Sequence, residues 1–213
     1  IIGIPSEVLE GNFKVFIGKK SALHAIDVAF NNLKIGIAKK YFTPDAVARA
    51  VLNPSEMENG VALIDFGGGV TSVSIYYGSI MRHYASIPFG GASITSDIRT
   101  ECLISDSLAE NIKLAFGACM PDKLQNLSEK VIQINSGNAS PNKQLPVKYL
   151  SEVITYRVKE IIEAILYEIE KSGFADNLRN GIVLTGGVAN LANCANYIKE
   201  ISGYNVRAGY PRH

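Results

Sequence analysis

Two short glycine-rich turns, each closing a run of apolar residues, constrain this chain more than any other feature: VALIDFGGG at 61–69 and GIVLTGG at 181–187. Short apolar runs bounded by turn residues read as buried strands. Consecutive glycines at a strand's end leave backbone N–H groups unshielded by any Cβ, so an anion such as a phosphate reaches them closely. Two such ends in one chain point to one ligand gripped from two sides. Glycine turns between strand and helix also arise for packing alone, and that plainer reading stands beside the first.

Composition removes several function classes. Of 213 residues, 47% are hydrophobic and 19% charged, with a formal net charge of +1, which suits an ordinary globular protein and not a disordered one. Basic residues are scattered, so the electrostatic footprint of a nucleic-acid binder is missing. Cys102, Cys119 and Cys194 form no C-x-x-C pair and are odd in number, which favours free thiols in a reducing compartment over a disulfide framework or a metal site. No apolar run approaches a membrane span, and the first residues lack a signal-peptide pattern.

Along the chain, 13–19 reads as a strand, and Ser21 is placed to cap a helix with Leu23, Ile26, Phe30 and Leu33 on its apolar face. A second strand is expected over 35–41. Thr43 and Pro44 then suit an N-cap and first helical position leading into 45–52. The polar stretch 53–60 reads as a connection between domains. After the strand at 61–65, residues 70–88 predict a hairpin turning at Tyr77, Gly78 and Ser79. Ile94, Ile98 and Cys102 share a helical face, and Ser107 and Glu110 have capping-box spacing for a helix ending before Gly117. Turn formers crowd 131–146, read as a mobile loop. A long helix is expected from about 152 to 171, with Ile154, Val158, Ile161, Ile165 and Ile169 along one side and Gly173 ending it. A strand at 182–185, a helix over 191–201 closed near Gly203, and a last strand at 205–210 complete the pattern. His24 and His83 have no neighbouring carboxylate or cysteine pattern, and the tyrosines Tyr76, Tyr77 and Tyr84 alternate as packing residues do.

The motifs IDFGGG (64–69), IPFGGASITSDI (87–98), AENIK (109–113) followed by Gly117, GIVLTGGVANL (181–191) and VRAGYP (206–211), in this order, resemble the FtsA family of bacterial cell-division proteins, within the actin-like ATPases. The resemblance covers about residues 60 to 211, and 87–98 with AENIK distinguishes this family from its actin-like relatives. It implies an α/β chain: an actin-like (ribonuclease H-like) ATPase domain with an inserted helical subdomain, preceded by part of a small α/β subdomain. Residues 1–59 would end the first domain, 60–91 with 174–213 would form the nucleotide-binding core of the second, and 92–173 would be the insertion.

In such a protein Asp65 would hold a hydrated Mg²⁺ or orient an attacking water. Gly67 and Gly68 would offer N–H groups to the β- and γ-phosphates of ATP, with Gly69 and Thr71 beside them. Gly186, Gly187 and Val188 would let the adenosine and α-phosphate pass close to backbone at a helix N-terminus. Glu110 and Lys113, one turn apart, would approach ribose and base. For Asp65 the alternative is a tight turn; for Glu110, the capping box of Ser107; for Lys113, a solvated surface charge.

Two departures from the family pattern bear on hydrolysis. Val70 stands where a hydroxyl residue often follows the glycines, and Val188 where a third glycine is common. Binding rests on the glycine N–H groups, whereas hydrolysis needs a positioned water and base, so at most slow ATPase activity is expected. The resemblance implies a first phosphate loop upstream of Ile1 and a membrane-anchoring amphipathic helix beyond His213, so the chain reads as a fragment whose own ATP affinity is weak. The whole protein would be cytoplasmic, at the inner face of the membrane at the division site. It would assemble into filaments and tether the FtsZ ring, whose C-terminal tail would dock on about 92–173. The competing reading is another actin-fold ATPase, a chaperone or a sugar kinase, with hydrolysis as its main activity.

Overall fold

Alternation in a single strand sets the layering of this protein. In β1 (Val61–Phe66), Val61 and Leu63 join one buried cluster while Ala62, Ile64 and Phe66 join another, so both faces of the strand are covered. The computed structural model describes residues 3, 5, 7, 8, 10, 11, 13, 15–134 and 143–211. These divide into two units, 1–41 and 42–213.

In the first unit the described residues contain one helix, α1 (Lys20–Asn32). Its N-cap is Lys19, so Ser21 lies inside the helix and caps nothing, and none of its residues is buried. The strands expected over 13–19 and 35–41 are not formed among the described residues. An extended segment becomes a strand only where a neighbour pairs its N–H and C=O groups, and no partner occurs among the described residues of this unit. Asp27 and Lys40 form a half-exposed ion pair at 2.5 Å.

The second unit opens with α2 (Thr43–Val51) and α3 (Pro54–Asn59). Phe42, not Thr43, is the N-cap of α2, one residue before the expected start. The stretch expected as a polar connection is helical: Glu56 reaches back to the N–H of Asn53 at 2.7 Å and satisfies a helix-start donor. Ala48, Val51 and Leu52 then cover Val61, Leu63, Tyr76 and Val183, forming the layer on one side of the sheet.

After β1 come β2 (Thr71–Tyr77) and β3 (Ile80–Ile87), the expected hairpin. Next are α4 (Gly91–Cys102), α5 (Asp106–Phe116), the short strands β4 (Val131–Ile134) and β5 (Lys143–Pro146), and α6 (Val147–Lys171). Last are β6 (Ile182–Thr185), α7 (Cys194–Ser202) and β7 (Val206–Ala208). The main sheet runs β3-β2-β1-β6-β7, antiparallel on the hairpin side and parallel from β1 through β6 to β7. The long connection from β3 to β6 lays α4, α5 and α6 on the face opposite α2.

Three further expectations need correction. Residues 131–134 and 143–146 form a paired two-stranded sheet instead of loop, while 135–142 lie outside the described residues. Helix α6 starts at Val147, five residues before the expected position, and buries Val147, Leu150, Ile154, Val158, Ile161, Ile165 and Ile169. Helix α7 starts at Cys194 and not at Leu191, because Ala192 leaves the helical path to bridge Ala118, with Cys119 N–H donating to Ala192 C=O at 2.8 Å. The three cysteines are free and buried.

Candidate functional site

Both glycine turns emerge at the same end of the sheet, because β1 and β6 are parallel neighbours with Asp65 opposite Thr185. The first turn is held open by its own backbone. Gly67 N–H donates to Val70 C=O at 3.1 Å, and the carbonyls of Gly67 and Gly68 accept from Gly91 and Ala92 at the start of α4, at 3.0 and 2.7 Å. The N–H groups of Gly68 and Gly69 have no acceptor among the described residues, and no atom lies within 4 Å of where a Cβ would stand on either. Gly67 therefore shapes the turn, and the donors it was expected to share are those of Gly68 and Gly69.

In the second turn Gly186 has φ +91°, and a Cβ there would stand 2.5 Å from Phe66 C=O and 2.7 Å from Asp65 Oδ1. Only glycine fits a left-handed backbone pressed against another strand end. Gly187 has open space around its Cβ position and an N–H without an acceptor among the described residues. Gly187 opens a single 3-10 turn, Gly187–Asn190, not the N-terminus of a long helix. The helix dipole expected behind this turn is therefore not what backs it; a short turn with one backbone donor stands there instead.

A cleft of about 180 Å³ joins the two turns, with Gly68 and Gly91 on one side, Gly187, Val188 and Asn190 on the other, and Glu110, Lys113 and Leu114 of α5 as its third wall. Five of the expected site residues, Gly68, Glu110, Lys113, Gly187 and Val188, thus share one cavity. Asp65, Gly67, Gly69, Thr71 and Gly186 stand outside its lining. Asp65 is half-buried against Gly186, and burial lifts its pKa above the ordinary aspartate value. Thr71 is fully buried and its hydroxyl donates to Phe89 C=O at 2.8 Å, so it ties the hairpin to the segment leading into α4 rather than facing the cleft. A larger groove of about 450 Å³ between α4 and α6 contains none of the expected residues.

The α5 pair departs most from its expected surroundings. The N-cap of α5 is Ser105, whose Oγ accepts from Leu108 N–H at 3.3 Å, so Glu110 belongs to no capping box. Lys113 is buried rather than solvated. Its ammonium group donates to Gly91 C=O at 3.0 Å, to Thr95 Oγ1 at 2.8 Å and to Glu110 Oε2 at 2.7 Å. Glu110 Oε2 also accepts a short hydrogen bond from Thr95. Partial burial raises the pKa of Glu110, but the bonds from Lys113 and Thr95 outweigh it and hold the carboxyl below the ordinary glutamate range.

Gly91, Thr95, Leu114, Gly117, Asn190 and Leu191 were not identified as site residues from the sequence. Leu114 and Gly117 lie four and seven residues after Glu110, a helical-face spacing that could have found them. Thr95 could not be found this way, because it meets Glu110 only through the packing of α4 on α5.

The cleft is compatible with a nucleotide: unshielded glycine donors stand at both turns, and a carboxylate held ionised stands on the third wall. Among the described residues no three His, Cys, Asp or Glu side chains converge.

The family model described as "Cell division protein FtsA" matches residues 62–213. The chain is 31% identical over 212 residues to the cell division protein FtsA of Neisseria meningitidis serogroup B, covering 99% of this chain and 51% of that protein. It is 36% identical over 166 residues to FtsA of Pseudomonas aeruginosa, covering 78% of this chain and 39% of that one. It thus spans about half the length of these relatives or less. Among solved structures, MreB 5 of Spiroplasma citri bound to AMPPNP superposes with a TM-score of 0.76 at 20% identity, covering 90% of this chain and 60% of that one, a likeness of fold. By sequence the chain belongs to the FtsA family of cell-division proteins, and by architecture it carries the actin-like α/β fold.

Proposed function

We infer that the cleft between the two glycine turns binds ATP with Mg²⁺, as part of a cell-division adaptor of the FtsA type. One observation carries this reading: Gly68 and Gly187, from the ends of two neighbouring strands, line a single cavity, each with an N–H free of acceptors among the described residues and no Cβ in the way. Phosphate oxygens need such donors, and a side chain on either residue would stand between them and the ligand. Gly68 and Gly69 meet the outer phosphates, Asp65 holds the hydrated metal, and Gly187 and Val188 face the adenosine end. Support from likeness comes from MreB 5, a protein of similar fold solved bound to AMPPNP.

In this reading, residues 60–91 and 174–213 form the nucleotide-binding core and 92–173 the inserted subdomain that takes the FtsZ tail. Filament assembly and tethering of the FtsZ ring at the inner face of the membrane belong to the whole protein. Among the described residues no helix is long and apolar enough to cross a membrane. Membership in the FtsA family favours the adaptor over a chaperone or sugar kinase.

The test is a titration of the ¹⁵N-labelled chain with ATP and Mg²⁺ to millimolar concentrations. Shifts centred on Gly68, Gly69 and Gly187 are expected; saturating ligand that leaves these amides in place would overturn the reading. The same sample titrated with the FtsZ tail peptide should respond within 92–173, and a response confined elsewhere would refute that assignment.

A further inference from the structure

The first three backbone donors of α4 are turned inward. Gly91 and Ala92 N–H donate to the carbonyls of Gly67 and Gly68 at 3.0 and 2.7 Å, and Ser93 N–H donates to Gly90 C=O at 3.0 Å. A helix start ordinarily offers such groups to an anion, but these are already spent. Their effect reappears on the far side of the turn they hold. A trans peptide is planar, with its carbonyl and the next residue's N–H pointing opposite ways, and both peptides here are trans. Pinning Gly67 C=O toward α4 therefore aims Gly68 N–H away from the helix, and pinning Gly68 C=O does the same for Gly69 N–H. These are the two N–H groups of the turn that have no acceptor among the described residues.

Two residues outside the cleft lining set how closely α4 approaches. Gly90, the N-cap of α4, passes so near the turn that a Cβ on it would stand 2.5 Å from Gly67 C=O and 2.7 Å from Gly68 C=O. Its backbone is extended, so the demand for glycine there is one of space alone. Thr71, fully buried at the start of β2, donates its hydroxyl to Phe89 C=O at 2.8 Å and ties down the segment leading into Gly90.

Resting on the nucleotide reading above, we propose that Gly90 and Thr71 are positioning residues for phosphate: they seat the start of α4 against the first glycine turn, and the seated helix aims the N–H groups of Gly68 and Gly69 at the outer phosphates. Two physical effects make the seating matter. Glycine loses more conformational freedom on ordering than any other residue, and donors fixed before the ligand arrives spare binding that cost. A carbonyl that accepts a hydrogen bond also polarises the N–H across its own peptide, so the positive end of α4 is relayed through two peptide groups to the phosphate side.

The experiment compares the ¹⁵N-labelled wild-type chain with Gly90→Ala, Thr71→Val and Thr71→Ser. Without ligand, residual dipolar couplings report the direction of each N–H bond. Gly90→Ala and Thr71→Val should change the couplings of Gly68 and Gly69 and leave that of Gly187 in place, with Thr71→Ser close to wild type. With Mg²⁺ present, the first two variants should bind ATP about tenfold more weakly, the scale of a hydrogen bond to a charged group, while AMP, lacking the outer phosphates, stays within about twofold of wild type. If Gly90→Ala does not fold, Thr71→Val against Thr71→Ser makes both comparisons. Unchanged couplings at Gly68 and Gly69, or a loss spread equally over ATP and AMP as a merely structural role would give, overturns the assignment. A wild-type chain that binds no ATP overturns the nucleotide reading instead, and the couplings still decide whether α4 aims the turn.

Discussion

Arg157 of α6 clasps Asp97 of α4 through two hydrogen bonds, Nε to Oδ2 at 2.6 Å and Nη2 to Oδ1 at 3.0 Å. Both side chains are 28% exposed, and Arg157 also meets Glu160 on its own helix at 2.6 Å. Paired donors in this fork geometry fix the two helices in register as well as in contact. Asp97→Ala should destabilise the chain by about 1–3 kcal/mol in urea unfolding. Arg157→Ala should cost a similar amount, with the double variant well short of the sum. Additive losses would mean that the clasp contributes nothing as a pair.

Adjacent glycines should respond oppositely to the same change. Gly186→Ala places a Cβ on a left-handed backbone 2.5 Å from Phe66 C=O and should cost at least about 1–3 kcal/mol in thermal or urea unfolding. Gly187→Ala meets open space and should stay within about 0.5 kcal/mol of wild type, while nucleotide affinity falls. Unfolding curves and ATP titrations of the two variants separate fold from function.

Neighbouring serines at the start of α5 give a second contrast. Ser105→Ala removes the accepted bond from Leu108 N–H and should cost roughly 0.5–2 kcal/mol. Ser107→Ala removes no cap and should cost less than about 0.5 kcal/mol by the same unfolding assay.

His83 on β3 has a carboxylate that its sequence neighbours did not supply: Nε2 stands 2.9 Å from Glu168 Oε2 on α6, and Lys171 reaches Glu168 Oε1 at 3.3 Å. Burial pushes the pKa of Glu168 up, but the bonds from His83 and Lys171 prevail and hold it below the ordinary glutamate range. A carboxyl whose folded pKa is depressed stabilises the fold above its unfolded value, and that contribution is lost as pH falls through the folded one. The wild-type chain should therefore be more stable than Glu168→Gln near neutral pH. The gap should close on acidification through and below the ordinary glutamate range, as followed by unfolding at a series of pH values. A gap that is constant with pH would rule out this linkage.

What the sequence disclosed depended on how local the cause was. The hairpin at 71–87, the burial of Ile94, Ile98 and Cys102, and the stop at Gly117 rest on spacing within one element and were legible there. The early start of α6 was masked by Pro141 and Pro146, although Val147 and Leu150 continue the apolar period of Ile154 and Val158. Strands β4 and β5 are four residues each and pair with each other, from Ile134 with Lys143 out to Val131 with Pro146, which no single window displays. The delayed start of α7 follows from a bridge between Ala118 and Ala192, 74 positions apart. At the site, the glycines were legible because a turn needs them. The partners of Glu110 were half legible: Lys113 lies one turn away, but Thr95 arrives from another helix.

Helix α4 has two attachments whose combination carries a mechanical meaning. At its start, Gly91 and Ala92 hang from the carbonyls of Gly67 and Gly68, and nearly two turns further on Asp97 grips Arg157 near the middle of the 25-residue α6. The turn beneath the cleft and the longest helix are thus fastened to one short strut. A displacement of Gly68 that left α6 in place would have to stretch one of these fastenings or bend the strut between them.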